Sequence, residues 1–299
     1  GADAVIPWAD TDRGESRVAI HRAVAAGDNV RRRAEDVKSG TTVLTRGSRI
    51  SARHVALLAG LGLHRVRVRP APRVVVVSIG DELVEPGQSR EAGDVFDANG
   101  HALACAVTDA GGQAFRVAAV PDELRALADT IEDQLVRADV LITTGGLSVG
   151  QGDTVKDVLA PLGSVRFDAV AMSPGRQLGV GTVEGTPIFC LPGDPVSAQI
   201  AFETFVRPVL RQIAGRTSLH RSSLPATISE GWHSPSGKRE FVPVRVSGSP
   251  SRGYRAEPTT PPGTVRLHGL SEANAIAVVP EDTSTVVAGD TLHCLLLDA

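Results

Sequence analysis

Two glycine-containing loops carry the residues best suited to binding an anion. The first loop follows the apolar segment 140–142, begins at Thr143 and ends at Asp153. Backbone N–H groups exposed in such a strand-to-helix loop can hold a phosphate, and the aspartate offers a carboxylate to its metal ion. The loop's small and hydroxyl-bearing positions include Thr144, Gly145, Gly146, Ser148 and Gly150.

A second loop of the same kind joins the apolar segment 188–191 to a predicted helix. It reads Pro192-Gly193-Asp194-Pro195-Val196-Ser197. If both strands belong to one parallel sheet, both loops lie at the carboxyl ends of the strands, where open α/β sheets bind their ligands. Glycine and proline between a strand and a helix are also ordinary turn residues, so either loop alone indicates a turn as readily as a site. The pair favours one shared pocket.

The composition indicates a globular protein with a sizeable core. The chain has 299 residues, of which 42% are hydrophobic and 22% are charged, enough for two or three domains. A formal net charge of −3 disfavours a protein built mainly to bind nucleic acid. No apolar run approaches the roughly 20 residues of a membrane span. Cys105, Cys190 and Cys294 form no C-x-x-C pair, which predicts buried thiols in a reducing cytoplasm.

The first 70 residues are predicted to form a small, β-rich mixed module. Short strands are expected at 18–20, 42–44 and 66–68, and a helix from about Ala52 to Leu61. The first residues read as the middle of a strand-containing domain, so we expect an upstream part of this module to be missing from the chain. The run Arg31-Arg32-Arg33 beside two acidic residues favours a solvated face over an anion site.

Residues 71–215 alternate between strand and helix patterns, which predicts a doubly wound α/β domain of three layers. Val74–Val77 has the continuous apolar character of a strand buried on both faces. Residues 216–299 contain short alternating segments separated by proline and glycine, which predicts a β-barrel or sandwich. Within the α/β part, strands are expected at 114–120, 140–142, 165–171 and 186–191, and helices at 98–110, from about 121, after 153 and at 196–214.

Six motifs, taken in order, carry a family resemblance that covers essentially the whole chain. They are Arg31-Arg32-Arg33-Ala34-Glu35-Asp36, Ser78-Ile79-Gly80-Asp81-Glu82-Leu83, Val95-Phe96-Asp97-Ala98-Asn99, Thr144-Gly145-Gly146-Leu147-Ser148-Val149-Gly150 with Asp153, Ser173-Pro174-Gly175-Arg176, and Leu191-Pro192-Gly193-Asp194-Pro195-Val196-Ser197. An ordered set is far more specific than one glycine loop. The chain resembles the molybdopterin molybdenumtransferase family, comprising the MoeA proteins and the E domain of gephyrin, without that family's N-terminal segment.

The resemblance implies a three-layer αβα molybdopterin-binding domain between a β-rich module and a C-terminal β-barrel-like domain. It also implies a reaction in which molybdate is inserted into the dithiolene of adenylylated molybdopterin and AMP is released, with Mg²⁺ assisting. A cytoplasmic homodimer is implied, supplied with substrate by a molybdopterin adenylyltransferase. The N-terminal segment of the family contributes to the active site, so activity of a chain that lacks it is in question.

The resemblance also assigns roles to individual residues. Catalytic and metal-binding carboxylates would be Asp153, Asp81 and Glu82, with Asp36 as a further catalytic residue. For Asp81 and Glu82 the alternative is helix capping. Asp97 and Asn99 would hold the nucleotide or cap the helix that begins there. The phosphate-binding group is Gly145, Gly146, Ser148 and Gly150.

A second group of residues would shape the pterin and molybdate pocket. Arg176 is the expected oxyanion partner because its planar fork donates two hydrogen bonds, although it could instead be a surface charge. The other members are Ser173, Pro174, Gly175, Pro192, Gly193, Asp194, Pro195 and Ser197.

Four positions depart from the family pattern. Ser173 stands where the family carries glutamine or lysine, and Gln177 stands where it carries proline. Ala34 replaces glycine in the family's Gly-Glu-Asp, and Asp194 replaces asparagine in its Gly-Asn-Pro. A carboxylate there disfavours a bound anion unless a metal or a proton compensates. The departures suit a divergent enzyme, or a gephyrin-like scaffold that binds another protein, such as a receptor tail or a cell-division protein. A third alternative is a nucleotide hydrolase with the same fold.

Overall fold

The computed structural model describes residues 1–147 and 153–297, and the chain divides into two compact units. Gly1–Ser48 is the first unit and Arg49–Ala299 is the second.

The first unit contains little regular structure. It has one 3-10 helix, Trp8–Asp10, and one isolated antiparallel bridge between Thr11 and Ile20. The strands predicted at 18–20 and 42–44 do not form. Asp12 provides part of the reason, because its Oδ1 accepts the N–H groups of Gly14 and Ala19 and so replaces a strand partner with a side chain.

In the second unit, helix α1 matches the helix expected at 52–61, whereas the strand predicted at 66–68 does not form. Val66 and Val68 are exposed, so this segment has neither a paired strand nor an apolar surface to cover. The helices of this unit are α1 (Ala52–Gly60), α2 (Ala98–Ala110), α3 (Leu124–Leu135), α4 (Thr154–Leu162), α5 (Pro195–Ala201), α6 (Arg207–Ile213) and α7 (Leu267–Glu272).

The strands of the second unit belong to one α/β sheet, one barrel and two small pairs. They are β1 (Arg73–Ser78), β2 (Leu83–Val84), β3 (Val95–Phe96), β4 (Gln113–Arg116), β5 (Val140–Thr144), β6 (Gly163–Ala169), β7 (Met172–Ser173), β8 (Gln177–Val183), β9 (Thr186–Leu191), β10 (Ser223–Ile228), β11 (Trp232–His233), β12 (Arg239–Ser249), β13 (Gly253–Pro258), β14 (Ala275–Val279), β15 (Thr285–Val286) and β16 (Thr291–Leu296).

The α/β sheet has the strand order β4-β1-β5-β9-β8-β6, which confirms the predicted α/β fold. The four strands from β4 to β9 run parallel, and β8 and β6 extend the sheet as an antiparallel hairpin. Successive residues of β1 point to opposite faces, because Val74 and Val76 join one apolar cluster and Val75 and Val77 join another. Helices α2, α5 and α6 cover the first face, and α3 and α4 cover the second.

Helix α2 ends where the sequence predicts, whereas the long helix predicted at 196–214 does not form as one element. Helix α2 ends at Gly111, whose φ of 94° is the left-handed conformation that glycine adopts without strain. The long helix expected at 196–214 is interrupted, because the π-helical segment Phe202–Val206 separates α5 from α6. Phe202 and Val206 within the interruption and Leu210 after it all belong to the same buried cluster.

The C-terminal region contains a closed five-stranded barrel, as expected for a β-barrel-like domain. Its order is β10-β16-β14-β12-β13, and it closes because β13 pairs with both β12 and β10. Strand β7 pairs with β12, so the segment that follows β6 lies against the barrel. Helix α7 packs next to β12 and α5.

The three thiols differ in exposure. Cys190 and Cys294 are buried, as predicted, and burial raises their pKa to about 12 and about 11. The prediction is wrong for Cys105, which is exposed. It lies on α2 opposite the face that carries Leu103 and Val107 into the core. No helix in the described ranges is long and apolar enough to span a membrane.

Candidate functional site

The two glycine loops lie side by side, as the sequence predicts. Strands β5 and β9 are neighbours in the sheet, with Thr144 opposite Leu191. The loops leave these strands at their carboxyl ends, and Gly145 N–H donates to Leu191 O over 3.3 Å. Gly145, Gly146, Gly193 and Pro195 line one cleft of about 250 Å³, together with residues that follow β1 and begin α2.

Asn99 joins the two loops from the first turn of α2. Its Nδ2 donates to Thr144 Oγ1 and to Gly193 O, both at 2.9 Å. Thr144 Oγ1 donates in turn to Pro192 O at 2.8 Å. Asn99 Oδ1 is buried and accepts no hydrogen bond from the described residues. The side chain therefore fixes the separation of the loops and keeps one acceptor at the floor of the cleft.

Asp97 is the N-cap of α2, which is one of the two roles the sequence allowed. Its Oδ1 accepts Gly100 N–H at 2.8 Å and Ser78 Oγ–H at 2.9 Å. Arg116 approaches Oδ2 at 3.3 Å and binds Glu85 through two hydrogen bonds of 2.6 and 2.8 Å. Hydrogen bonding to Arg116 is the main cause that lowers the pKa of Glu85, against the opposing effect of burial. Sequence reasoning missed this network, because Arg116 and Glu85 belong to no motif.

Two further predicted site carboxylates are also helix caps. Asp194 Oδ1 accepts the N–H of Ser197 at 2.8 Å at the start of α5. Asp153 Oδ1 accepts the N–H of Lys156 at 3.2 Å at the start of α4. Capping satisfies a backbone donor that the first helical turn leaves without a partner, so these aspartates have a local structural role whatever they bind.

The glycines of the first loop are required by close packing. Gly145 has a φ of 89°, and a Cβ at this position would stand 2.2 Å from Ile79 O. Gly146 has a φ of 65°, and its Cβ would stand 2.6 Å from Val155 Cγ2. The loop backbone therefore rests directly on the end of β1 and on α4.

Carboxylates of two loops converge on one side of the cleft. Glu82 and Asp122 line it, and Asp122 N–H donates to Asp81 Oδ1 at 3.0 Å. Sequence reasoning missed Asp122. It lies near the cleft because Val120, two residues earlier, forms a parallel bridge with Ile79. In the part of the chain that the structure describes, no three His, Cys, Asp or Glu side chains form a metal-binding group. Asp81, Glu82 and Asp153 thus form no such metal-binding group by themselves.

The segment from Ser173 to Gly175 lies next to Val196 and Ser197 in the first turn of α5. Ser173 and Pro174, joined by a cis peptide bond, line a separate cleft of about 60 Å³ with Val196 and residues of the barrel. A Cβ on Gly175, whose φ is 87°, would stand 3.1 Å from Ser197 O. Arg176 is exposed. The predicted pocket is therefore divided into two clefts, with Pro195 in one and Val196 in the other.

Three predicted site residues are not among the described residues of the second unit. Ser148 and Gly150 lie outside the described residues. Asp36 belongs to the first unit, where its side chain is exposed next to a turn in which Arg32 N–H donates to Glu35 at 2.8 Å.

Comparison with known families decides what kind of protein carries these clefts. Residues 1–62 match the MoeA N-terminal region, 75–212 a probable molybdopterin binding domain, and 225–297 the MoeA C-terminal region. Molybdopterin molybdenumtransferase 2 of Mycobacterium tuberculosis is 38% identical over 299 residues, which cover 98% of this chain and 73% of the relative. The chain belongs to the MoeA family.

Other MoeA family members and structures agree with this assignment. The molybdopterin molybdenumtransferase of Bacillus subtilis is 29% identical over 99% of this chain and 70% of its own length. Gephyrin of Dictyostelium discoideum is 28% identical over 99% of this chain and 46% of its own. The crystal structure of a molybdopterin biosynthesis MoeA protein from Pyrococcus horikoshii superposes with a TM-score of 0.81 at 28% identity, covering 99% of this chain and 72% of that one.

Proposed function

We propose that this MoeA family member is a molybdopterin molybdenumtransferase, which inserts molybdate into adenylylated molybdopterin and releases AMP. The observation that carries the proposal is the single cleft at the carboxyl ends of β5 and β9, formed by both family glycine loops and fixed by Asn99. The relatives that share these segments are named for this transfer.

Phosphate binding is proposed for the loop backbone and not for the helix N-termini. One N–H group in the first turn of α2 is already capped by Asp97, and one in the first turn of α5 by Asp194. Gly145 and Gly146 bring the backbone to the cleft without side chains between it and a ligand. Ser148 and Gly150 are proposed to extend the same anion site.

Recognition of the organic part of the substrate is proposed for Asn99 and for the second cleft. The buried Asn99 Oδ1 can accept one hydrogen bond, so it suits an N–H or O–H of the nucleotide or the pterin. Pro192, Gly193 and Pro195 would continue the first cleft, while Ser173, Pro174, Gly175 and Ser197 would continue toward the barrel. Arg176 would bind molybdate by the paired hydrogen bonds of its guanidinium group.

We propose that Mg²⁺ binds in this cleft as an ion shared between the protein and the substrate. Mg²⁺ is commonly held by one or two carboxylates together with substrate phosphate oxygens, and an ion held in this way would supply Lewis-acid polarisation of a phosphoryl group. Glu82 lines the cleft and Asp81 is bonded to the backbone of Asp122, so these side chains offer oxygen ligands on one side. Asp153 and Asp36 are proposed as further catalytic carboxylates.

Membership of the MoeA family also supports proposals about domains, assembly and substrate supply. The domains are proposed to be 1–70, 71–215 and 216–299. We propose a cytoplasmic homodimer that receives its substrate from a molybdopterin adenylyltransferase. The likeness to gephyrin is compatible with a protein-binding scaffold but does not favour it, because the likeness to molybdenumtransferases is stronger.

A direct assay tests the transferase. AMP release from adenylylated molybdopterin would be measured with Mg²⁺, with and without molybdate. We expect molybdate to stimulate AMP release. A folded protein that releases no AMP would contradict the proposal and favour the scaffold, and equal turnover of a free nucleotide without molybdate would favour the hydrolase.

Two variants of Asp153 separate catalysis from helix capping. Asp153→Ser keeps a side-chain oxygen that caps α4 but removes the carboxylate, whereas Asp153→Ala removes both. We expect both variants to lose Mg²⁺-dependent AMP release, while Asp153→Ser retains the stability of the parent. Full activity in Asp153→Ser would show that this carboxylate acts only as a cap.

A further inference from the structure

A second, strongly cationic cavity lies at the far end of α2 from the glycine loops. It measures about 530 Å³, and the residues that matter for its chemistry are Arg49, Asp109, Arg207, Arg211, Arg216 and Arg221. Asp97 caps the first turn of α2 in the cleft, whereas Asp109 and Gly111 border this cavity at the other end. At 1.5 Å per residue, the 13 residues of α2 separate the two places by roughly 20 Å.

Arg207 is the central side chain because it is buried without its full set of hydrogen bonds. Only 6% of the residue is exposed, and its Nε and Nη1 have no hydrogen-bond partner among the described residues. Glu203 Oε2 stands 3.6 Å from Nε, which is an ion-pair distance but too long for a hydrogen bond. Glu203 is already bound by Arg221 through two hydrogen bonds of 2.8 Å.

The arginines of the cavity also repel one another. Burial lowers the pKa of Arg207, and Arg221 and Arg211 lower it further, against the attraction of Glu203 and Asp109. Burial likewise lowers the pKa of Arg211, and Arg216, Arg49 and Arg221 add to the effect. Arginine keeps its proton in proteins, so the cluster retains its charge at neutral pH. A bound dianion would relieve the repulsion and supply acceptors for the buried donors of Arg207.

We propose that this arginine cavity binds a phosphate group, as inorganic phosphate or as the phosphate of an organic monoester. Guanidinium groups match phosphate oxygens with paired, charge-assisted hydrogen bonds, which makes arginine clusters selective for this chemistry. The cavity has room for more than one phosphate. Asp109, Arg221 and Leu297 also border an adjoining groove of about 340 Å³ that includes Ile200 and Leu270, where the body of a monoester can lie.

Calorimetric titration with inorganic phosphate, at constant ionic strength set by chloride, tests the site. Arg49→Gln and Arg211→Gln remove one charge each from positions that are exposed or half-buried, so both variants should fold. We expect each to weaken phosphate binding by about tenfold, as the loss of one charge-assisted contact predicts. The matched control is Arg125→Gln, on α3 with a side chain that is 94% exposed, which should bind phosphate as the parent does.

A second probe distinguishes the two sources of the phosphate group. Phenyl phosphate that binds more tightly than inorganic phosphate would assign the cavity to a monoester, and equal affinity would assign it to the free ion. Phosphate that binds only at the glycine-loop cleft would be insensitive to both Arg49→Gln and Arg211→Gln. That insensitivity, or no binding beyond the chloride baseline, would overturn the proposal without bearing on the molybdenumtransferase assignment.

Discussion

The two ends of α2 differ in whether their charged side chains have hydrogen-bond partners. At the glycine-loop end, Asp97 accepts backbone and hydroxyl hydrogen bonds, and Asp194 caps the neighbouring helix. At the arginine end, Arg207 is buried with two nitrogen atoms that find no acceptor in the described part of the chain. At the glycine-loop end the aspartates accept hydrogen bonds from the protein's own groups. At the arginine end there are more cationic hydrogen-bond donors than acceptors.

This difference teaches that motif residues and binding capacity need not coincide. Asp97, Asp153 and Asp194, three aspartates of the family motifs, cap helices, and Asn99 Oδ1 is a buried polar atom of that end with no partner among the described residues. The arginine cavity carries none of the motif residues, yet its unsatisfied donors give it the stronger physical reason to bind an anion.

The largest expected effect is at the packed glycine of the first loop. Gly145→Ala introduces a Cβ at a φ of 89° and 2.2 Å from Ile79 O, so the loop or β1 must move. We expect the free energy of unfolding to fall by roughly 2–5 kcal/mol, from the left-handed strain and the clash together. Urea denaturation measures the loss.

Gly185→Ala is the matched control for this change. Gly185 has a similar φ of 83°, but nothing stands within 4 Å of its Cβ position. The free energy of unfolding of Gly185→Ala should therefore fall only by the cost of the left-handed conformation, roughly 1 kcal/mol. Equal losses in the two variants would show that the glycine loop does not rest tightly on β1.

The next largest effect concerns the bridge between the loops. Asn99→Ala removes two hydrogen bonds that join the loops, one to the buried Thr144 and one to Gly193 O, which costs roughly 1–3 kcal/mol. A double-mutant cycle with Thr144→Val isolates the coupling between Asn99 and Thr144. Additive losses in the cycle would mean that Asn99 acts on each loop separately and does not set the distance between them.

A smaller effect is expected from the departure at Asp194. Asp194→Asn keeps an oxygen that caps α5 but removes a negative charge beside the proposed phosphate and molybdate site. We expect the KM for adenylylated molybdopterin to fall several-fold with little change in the unfolding midpoint. The same substitution should leave phosphate binding at the arginine cavity unchanged, so the two ends can be told apart in one variant. An unchanged or higher KM would place the carboxylate away from the bound anion.

Much of the fold around the first end could be predicted from the sequence, for local reasons. The apolar run at 74–77 and the Gly111 stop fix β1 and α2 from neighbouring residues alone. Predicted strands failed in the first 70 residues because a strand also needs a partner, which local composition does not supply. The π-helical segment at 202–206 was also missed, because the sequence pattern continues at helical spacing through it.

The site was predictable where chain order implies proximity and not where side chains meet from distant segments. Placing both glycine loops at the carboxyl ends of neighbouring strands required only the α/β pattern. The bond from Asn99 to Gly193 joins residues 94 positions apart, and the arginine cavity brings Arg49, Asp109 and Arg207 together from three separate segments. Neither arrangement can be predicted from the spacing of residues along the chain.

The smallest expected effect comes from an arginine that, unlike Arg207, has its donors satisfied. Arg73 donates to Asp139 through its backbone N–H at 2.7 Å and its side chain at 3.0 and 3.2 Å, and hydrogen bonding to Arg73 is the main cause that lowers the pKa of Asp139. Because the folded pKa lies below the unfolded one, the pair stabilises the protein above the unfolded pKa and loses this effect as pH falls through the folded pKa.

Asp139→Asn should therefore destabilise the protein slightly at pH 7 and not at a pH below the folded pKa of Asp139. The loss should be small beside that of Asn99→Ala, because both partners are partly exposed and solvent screens the pair. Urea denaturation of parent and variant at the two pH values measures it. A difference that persists at low pH would mean that the geometry at the start of β1 and β5, and not the charge on Asp139, supplies the stabilisation. The contrast with Arg207 would then rest on hydrogen-bond satisfaction alone.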